Sequence, residues 1–214
     1  MSKAIAQGRF ISLEGGEGAG KSTQAKRLMA ALAARAIPAI LTREPGGSAG
    51  GEAVRALLME GEVNRWSARA EALLFAAARA DHIEKVIQPA LNAGQWVVCD
   101  RFLDSSRAYQ GVAGGMGGGA ILALHQIGTQ GFLPDRTILL DMPAGMGRLR
   151  AETRDGAAAD RFAARGDEFH AQVNAAFRGF AKAEPERFRI VDASAGVDAV
   201  ATAILAALGD WLPA

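Results

Sequence analysis

Near its start the chain reads Gly15-Gly16-Glu17-Gly18-Ala19-Gly20-Lys21-Ser22, a match at every fixed position to the pattern G-x-x-x-x-G-K-[ST]. The apolar run 10–13 precedes this stretch as a short predicted strand, and residues 22–35 follow it with leucine and methionine at helical spacing. A strand that enters a glycine turn and continues into a helix is the context in which this pattern binds anions.

The chemistry of such a loop is electrostatic. Glycines let the backbone wrap around a polyphosphate, so that N–H groups and the positive end of the new helix point at its oxygens. Lys21 can then reach the terminal phosphates, and the hydroxyl of Ser22 can ligate magnesium. The alternative is a plain tight turn with a solvated lysine, but the complete match and both flanks weigh against it. The stretch therefore predicts a nucleoside triphosphate site.

Length and composition narrow the class of protein. The chain has 214 residues, of which 50% are hydrophobic and 22% charged, and this length is enough to bury a full core in one compact domain. The formal net charge of +1 argues against a protein that binds nucleic acid non-specifically along its length. The lone cysteine, Cys99, excludes an intramolecular disulfide and is predicted to serve in packing. Without a membrane-length apolar run or a signal-peptide core, we expect a soluble, cytoplasmic protein.

Apolar segments of strand length recur along the chain with helical stretches between them. This alternation predicts an α/β fold, a five-stranded parallel sheet with helices on both faces, because parallel neighbours need crossover connections. The predicted strands are 10–14, 39–42, 96–100, 137–141 and 188–192. The predicted helices are 21–36, 51–59, 68–92 with room for a bend, 105–110, 119–129, 144–154, 167–183 and 197–212.

One stretch of low complexity interrupts this alternation. Residues 111–119 read GVAGGMGGG, and glycines at this density lose too much backbone entropy on folding to favour the interior of a helix or strand. The stretch predicts a flexible loop between two helices.

In open α/β sheets, ligands bind beyond the carboxyl ends of the strands, so the residues that follow each strand matter most. After the second strand, a turn carries Arg43, Glu44 and Pro45 toward a ligand; an exposed turn with solvated charges is the alternative. After the third, Asp100 can hold magnesium or its waters while Arg101 grips a phosphate with two donors. Alternatively, Asp100 caps the next helix and Arg101 pairs with it, and Asp141 is a second candidate metal ligand.

An arginine cluster lies close behind the fourth strand. Phosphoryl transfer needs positioned positive charge and exclusion of water, and a closing arginine-rich lid supplies both. An exposed helix with solvated arginines is the other interpretation. The cluster comprises Arg148, Arg150, Arg154, Arg161 and Arg165.

Taken together, these features resemble the bacterial thymidylate kinase family, nucleoside monophosphate kinases that make dTDP from dTMP with ATP. The matching segments span most of the chain in the family's order: 14–23, 42–47, 74–79, 100–102, 105–111 and 134–135. The resemblance implies the P-loop nucleoside monophosphate kinase fold in a single domain, 1–214, with a mobile lid at about 148–165. It also implies Mg²⁺ as cofactor and a homodimer.

The resemblance implies roles for individual residues. Glu17 matches the acid that contacts the deoxyribose 3′-hydroxyl, Phe75 the aromatic that stacks on thymine, and Arg79 the arginine that reads the base. Arg43 and Arg101 match the clamps on the dTMP phosphate. Without the resemblance, Phe75 would be assigned to the helix core. Further positions match the substrate pocket at Glu44, Pro45, Ser105, Ser106, Tyr109 and Gln110. The ATP site is matched at Gly15, Gly16, Glu17, Gly18, Ala19, Gly20, Lys21, Ser22 and Thr23.

Family members place a transition-state arginine either in the phosphate loop or in the lid. Gly18 occupies the loop position here, so the resemblance assigns this duty to the lid, first to Arg154 and otherwise to Arg148, Arg150 or Arg161. Two departures from the family pattern put lid dynamics in doubt more than activity. The stretch 111–119 lacks the usual arginine, and Ala163 stands where glutamate is common.

Two other functions remain open at this stage. A kinase for another nucleoside monophosphate, such as AMP or dUMP, would share the reaction and differ in the pocket around Phe75 and Arg79. A non-catalytic nucleotide switch would want an N-K-x-D or D-x-x-G motif, and the chain has no N-K-x-D.

Overall fold

A computed structural model describes residues 8–143, 145–147, 150, 161–162 and 164–212. Within these ranges, five strands form one all-parallel sheet, as the sequence predicts. The strands are β1 (Phe10–Glu14), β2 (Ala39–Arg43), β3 (Trp96–Asp100), β4 (Arg136–Asp141) and β5 (Phe188–Asp192). The order of the strands, which the sequence analysis did not predict, is β2-β3-β1-β4-β5.

The helices of the described residues agree closely with the prediction and cover both faces of the sheet. The predicted bend within 68–92 is a π-helical turn, Ile83–Ile87, which joins α3 to α4. A second π-helical segment, Arg107–Ala113, directly follows α5. The helices are α1 (Lys21–Ala34), α2 (Ala49–Met59), α3 (Ala68–His82), α4 (Gln88–Asn92), α5 (Leu103–Ser106), α6 (Gly118–Thr129), α7 (Asp167–Ala183) and α8 (Val197–Ala207).

The central strands are apolar on both faces because helices cover both faces. On one face, Ile11 and Leu13 pack with Leu28 of α1 and Ile204 of α8. On the other face, the neighbouring side chain Phe10 packs with a cluster that includes fully buried Cys99. This alternation follows from the two-residue period of a strand. The buried thiol agrees with the packing role predicted for it.

Two sequence predictions need correction, and a third falls mostly outside the described residues. The glycine-rich stretch 111–119 is not all loop: its first three residues complete the π-helical segment and its last two open α6. A Cβ at Gly111 would lie 3.3 Å from the Ile121 side chain, so glycine lets these two helical segments pack closely. The last helix ends at Ala207, and 208–212 are turns. Of the predicted helix 144–154, only 145–147 and 150 are described, and these are helical.

The strand register brings three chain segments to one edge of the sheet. Asp100 at the end of β3 is level with Arg43 of β2 and Leu13 of β1. The loops that leave these strands therefore start side by side. None of the helices in the described ranges combines the length and apolar character that a membrane span requires.

Candidate active site

A cavity of about 210 Å³, open to solvent, lies where these loops converge. Its wall contains every residue that the sequence analysis assigned to the monophosphate pocket, although they come from segments up to 93 positions apart, between Glu17 and Gln110. It also contains Lys21, Ser22 and Asp100. Their roles in binding remain predictions. The wall residues that sequence reasoning missed are Arg55, Met59, Phe102 and Phe162.

The phosphate loop needs glycine for two physical reasons. Gly18 and Gly20 have φ angles of 68° and 85°, in the left-handed region that other residues rarely adopt. In addition, a Cβ at Gly18 would lie 1.9 Å from the carbonyl oxygen of Gly147. The segment behind β4 therefore packs against the backbone of the phosphate loop at this point. An arginine side chain at position 18 would not fit this arrangement.

Lys21 begins α1 and folds back over the loop. Its Nζ donates to the carbonyl oxygens of Gly15 at 3.1 Å and Gly16 at 2.7 Å. Burial lowers the pKa of Lys21 to about 8, and the nearby Arg101 guanidinium acts in the same direction. A polyphosphate would offer this ammonium stronger acceptors than two carbonyl groups. Lys21 is therefore placed to exchange these carbonyl oxygens for the phosphate oxygens of a ligand.

Arg101 is the central cation of the cavity. Its φ angle of 71° is unusual for a residue with a side chain, and it turns the guanidinium back toward the phosphate loop. The guanidinium donates to Gly15 O at 3.1 Å, Ser105 Oγ at 3.0 Å, Glu17 Oε1 at 2.7 Å and Tyr109 Oη at 3.3 Å. It thus links the phosphate loop, at Gly15 and Glu17, to the α5 side of the same cavity, at Ser105 and Tyr109.

Glu17 faces Arg101 across the mouth of the cavity. Its Oε1 also accepts a hydrogen bond of 3.0 Å from the hydroxyl of Tyr109. Burial opposes ionisation of this carboxyl, but Arg101 and Lys21 together lower the pKa of Glu17 to about 2. Glu17 is thus a fixed anion at neutral pH, and it can accept a hydrogen bond from a ligand hydroxyl.

A buried carboxylate that the sequence analysis did not single out holds the backbone that follows Arg101. Glu14, at the end of β1, accepts hydrogen bonds from Phe102 N at 2.8 Å, Ser105 N at 3.2 Å and Ser105 Oγ at 2.7 Å. These bonds fix the backbone on the carboxyl side of Arg101. Burial, with the charge of nearby Asp104, raises the pKa of Glu14 to about 7.

Replacing Glu14 with glutamine should change how stability depends on pH. The pKa of Glu14 is about 7 in the folded protein, against an ordinary value of 4.5 in the unfolded chain. Between these two pH values the folded wild type binds more protons than the unfolded chain, so its stability falls as the pH rises. The Glu14→Gln variant lacks this term. Its free energy of unfolding relative to wild type should therefore increase between about pH 5 and about pH 8 in denaturant titrations. Exposed Glu186→Gln is the control, and a constant difference for Glu14→Gln would contradict the assignment.

The far wall of the cavity holds the residues predicted to read the base. Arg79 of α3 is buried, and its Nε donates to Glu44 Oε2 at 2.7 Å. Phe75, one turn earlier on α3, is half-buried and contacts the ring of Phe162 edge-on, with the ring centroids 5.7 Å apart. Its partial exposure to the cavity distinguishes Phe75 from an ordinary helix-core residue.

Part of the arginine cluster is anchored to α3, the helix that carries Phe75 and Arg79. Arg161 and Arg165 both donate to the buried carboxylate of Glu71 on α3, the latter at 2.9 Å. The other oxygen of Glu71 accepts from Gln110 Nε2 at 2.9 Å. The anchor places Phe162 between Phe75 and Tyr109. Sequence reasoning missed Glu71, since nothing local marks it as the partner of residues about 90 positions away.

The remaining arginine candidates for the transition state differ in placement. Arg150 donates to the carbonyl oxygens of Ala193 at 2.9 Å and Ser194 at 3.2 Å, just after β5, and is absent from the described cavity wall. Arg154 and Arg148 lie outside the described residues, as does most of the predicted lid at 148–165. Arg43, predicted to clamp a phosphate, lines the cavity and pairs with Glu52 at 2.9 Å.

Two oxygen ligands suited to magnesium meet at the phosphate loop. The hydroxyl of Ser22 donates to Asp100 Oδ2 at 2.5 Å, and both groups line the cavity. Hard oxygen donors of this kind fit Mg²⁺, which commonly takes one or two protein ligands and completes its shell with phosphates and water. Asp141, the alternative ligand, pairs with Arg178 at 2.9 Å and is absent from the described cavity wall.

Comparison with known proteins agrees with this arrangement. Residues 13–204 match the family model described as Thymidylate kinase. The chain is 57% identical over 206 residues to the thymidylate kinase of Rhizorhabdus wittichii, covering 96% of this chain and 99% of the relative. It is 51% identical over 200 residues to that of Caulobacter vibrioides, covering 94% and 95% respectively.

A solved structure extends the likeness to three dimensions. The thymidylate kinase of Ehrlichia chaffeensis superposes with a TM-score of 0.74 at 30% identity, covering 94% of this chain and 99% of that one. The family match spans nearly all of the sheet and the whole described cavity wall. On these grounds the chain belongs to the thymidylate kinase family.

Proposed function

We propose that this protein transfers the γ-phosphoryl group of ATP to the phosphate of dTMP, which yields dTDP and ADP. One observation carries the proposal: a single cavity joins the phosphate loop to a pocket with an aromatic ring and a buried arginine, and Arg101 lies between the two. Two anionic ligands docked end to end would meet at this guanidinium. The relatives are named thymidylate kinases, which supports the same reaction.

Positioning and charge neutralisation account for the chemistry. The acceptor oxygen of dTMP is ionised at neutral pH, so the reaction needs no general base. Lys21 and the amides of the phosphate loop hold the donor, while Arg101 and Arg43 hold the acceptor phosphate. Glu17, held by Arg101 and Tyr109, is placed to accept a hydrogen bond from the sugar. Alignment of the two oxygens and concentrated positive charge then lower the barrier.

Binding of the thymine base is assigned to the far wall. Phe75 supplies a ring face, Arg79 supplies guanidinium donors, and Ser105, Ser106 and Gln110 supply hydrogen-bonding groups around them. Tyr109, which donates to Glu17, is assigned to the sugar, and the family resemblance implies a preference for deoxyribose there.

Magnesium would be held by Ser22 and Asp100 together with the phosphates of ATP. When bound, it supplies charge neutralisation on the β- and γ-phosphate oxygens.

The wider organisation of the protein forms part of the same proposal. The chain acts as one domain, 1–214, with a lid at about 148–165 that closes over ATP and brings Arg154 to the transferred group. The enzyme works in the cytoplasm as a homodimer formed by helices and takes no nucleic acid as partner. Exposed apolar side chains on neighbouring helices, Leu57 and Leu73, support such an interface.

A coupled assay across nucleoside monophosphates tests the function. With Mg-ATP as donor, we expect turnover with dTMP to exceed that with dUMP and AMP. A preference for AMP or dUMP would assign a different acceptor. Retained nucleotide without phosphoryl transfer to any acceptor would instead favour a nucleotide switch.

A further inference from the structure

His82, at the end of α3, lies behind the cavity wall and is fully buried. Both of its ring nitrogens have partners within hydrogen-bond distance. Nε2 is 2.6 Å from Thr42 Oγ1, and Nδ1 is 3.1 Å from Glu44 Oε1. Space for the ring depends on the turn after β2, because a Cβ at Gly47 would lie 2.3 Å from Nε2. None of the roles described above uses this histidine.

The direction of these hydrogen bonds follows from the chemistry of the partners. A carboxylate only accepts hydrogen bonds, so Nδ1 of His82 must carry a proton and donate it to Glu44. Nε2 then faces a hydroxyl, which can donate or accept. The threonine therefore satisfies the second nitrogen, and the ring keeps its Nδ1–H directed at the carboxylate.

Glu44 connects His82 to the side chains that line the cavity. Its Oε1 is held by His82 and its Oε2 by Arg79 Nε at 2.7 Å, so the two bonds fix both oxygens of the carboxylate. Arg79 in turn donates from Nη2 to Ser106 Oγ at 2.8 Å. Glu44, Arg79 and Ser106 all line the cavity, whereas His82 does not.

We propose that His82 is a positioning residue for monophosphate recognition: by holding Glu44 Oε1, it fixes the carboxylate that orients the guanidinium of Arg79. The proposal rests on the proposed function in one respect, namely that the monophosphate occupies the Arg79 side of the cavity. Groups that hold a binding side chain in one rotamer raise affinity because less freedom is lost when the ligand binds.

Two substitutions at His82 test the roles of its two ring nitrogens one at a time. The side-chain amide of His82→Asn reaches the Nδ1 position and can still donate to Glu44. In His82→Gln, the amide reaches the Nε2 position near Thr42 and leaves Glu44 Oε1 without a donor. Asparagine is one methylene shorter than glutamine and leaves the larger cavity at this buried site, so a purely structural role predicts that His82→Asn is at least as damaging as His82→Gln.

We expect His82→Gln to raise the KM for dTMP by about tenfold or more, the loss of one hydrogen bond to a charged group. The KM for ATP should change by less than about twofold. His82→Asn should keep the KM for dTMP within about threefold of wild type. His125→Asn, at another buried histidine outside the described cavity wall, controls for the general cost of such a change. Equal effects of the two His82 variants, or parallel shifts in both KM values, would overturn the proposal.

A second readout needs neither nucleotide nor turnover. In NMR spectra of the ligand-free protein, the Nε–H of Arg79 should be protected from exchange in wild type and in His82→Asn, and should lose that protection in His82→Gln. Unchanged protection in His82→Gln would refute the positioning role even if dTMP proved to be the wrong acceptor. Conversely, suppose that His82→Gln loses this protection but the wild-type protein does not phosphorylate dTMP. That result would refute the proposed function and leave the positioning role intact. Circular dichroism of each variant shows whether it is folded.

Discussion

Replacing Lys21 with alanine should lower kcat/KM by about 10³-fold or more, while the affinity for dTMP stays within about threefold of wild type. The ammonium group is buried and directed into the phosphate loop, where it donates to Gly15 and Gly16. Removing it takes away a preorganised positive charge at the transferred phosphoryl group, where such charges are worth most. Steady-state kinetics with Mg-ATP and calorimetry with dTMP measure the two quantities.

The control for this change is Lys26→Ala, which removes an exposed lysine from the same helix. That variant should retain wild-type kinetics. A near-normal rate for Lys21→Ala would refute the assignment of the phosphate loop as the donor site. A large loss of dTMP affinity would instead mean that the acceptor reaches much further toward Lys21 than proposed.

Replacing Arg101 with alanine should lower kcat by about 10²- to 10³-fold, the cost of losing a fixed donor at the reacting phosphate. It should also destabilise the fold, because Glu17 would then remain largely buried without its main cation. The two effects can be separated. In Arg101→Ala combined with Glu17→Gln, the unpaired charge is gone, so stability should recover while the rate stays low.

Thermal unfolding and single-turnover kinetics on the single and double variants test this separation. Arg35→Ala, at an exposed arginine just after α1, should change neither measurement. If the double variant recovered both stability and rate, Arg101 would have only a structural role. Arg101→Lys is expected to stay slow as well, because lysine keeps the charge but loses the planar fork that spans several acceptors.

Local patterns were enough to predict the five strands of the sheet, whereas most residues of the cavity wall were assigned through the family resemblance. The runs 10–14 and 96–100 were predicted as strands because each is short and mostly apolar and is bounded by glycine or polar residues. Only the structure shows that both are central strands. Glu17, Arg101 and Tyr109 were assigned through motifs whose residues are neighbours in sequence. The structure places them within hydrogen-bond distance of one another.

Other features depend on contacts between distant segments, and no local pattern signals them. Glu71 meets Arg161 across 90 positions, and His82 meets Thr42 across 40. Read locally, Glu71 is only an acidic residue in the first turn of a helix. The two ends of the glycine-rich stretch were not recognised as helical because glycine by itself disfavours a helix. In the structure Gly111 packs closely against Ile121, while residues 114–117 form the predicted loop.

By itself, the order of residues determined the βα phosphate loop, the parallel sheet and the identity of the groups available for chemistry, since turns, periodicity and strand burial are short-range properties. Tertiary structure alone decided how those groups are held: Glu14 beneath Arg101, His82 behind Glu44, and Phe162 beside Phe75. The physical reason is that orientation inside a cavity comes from buried hydrogen bonds and packing between elements far apart in the chain, which form only once the sheet has aligned its strand ends.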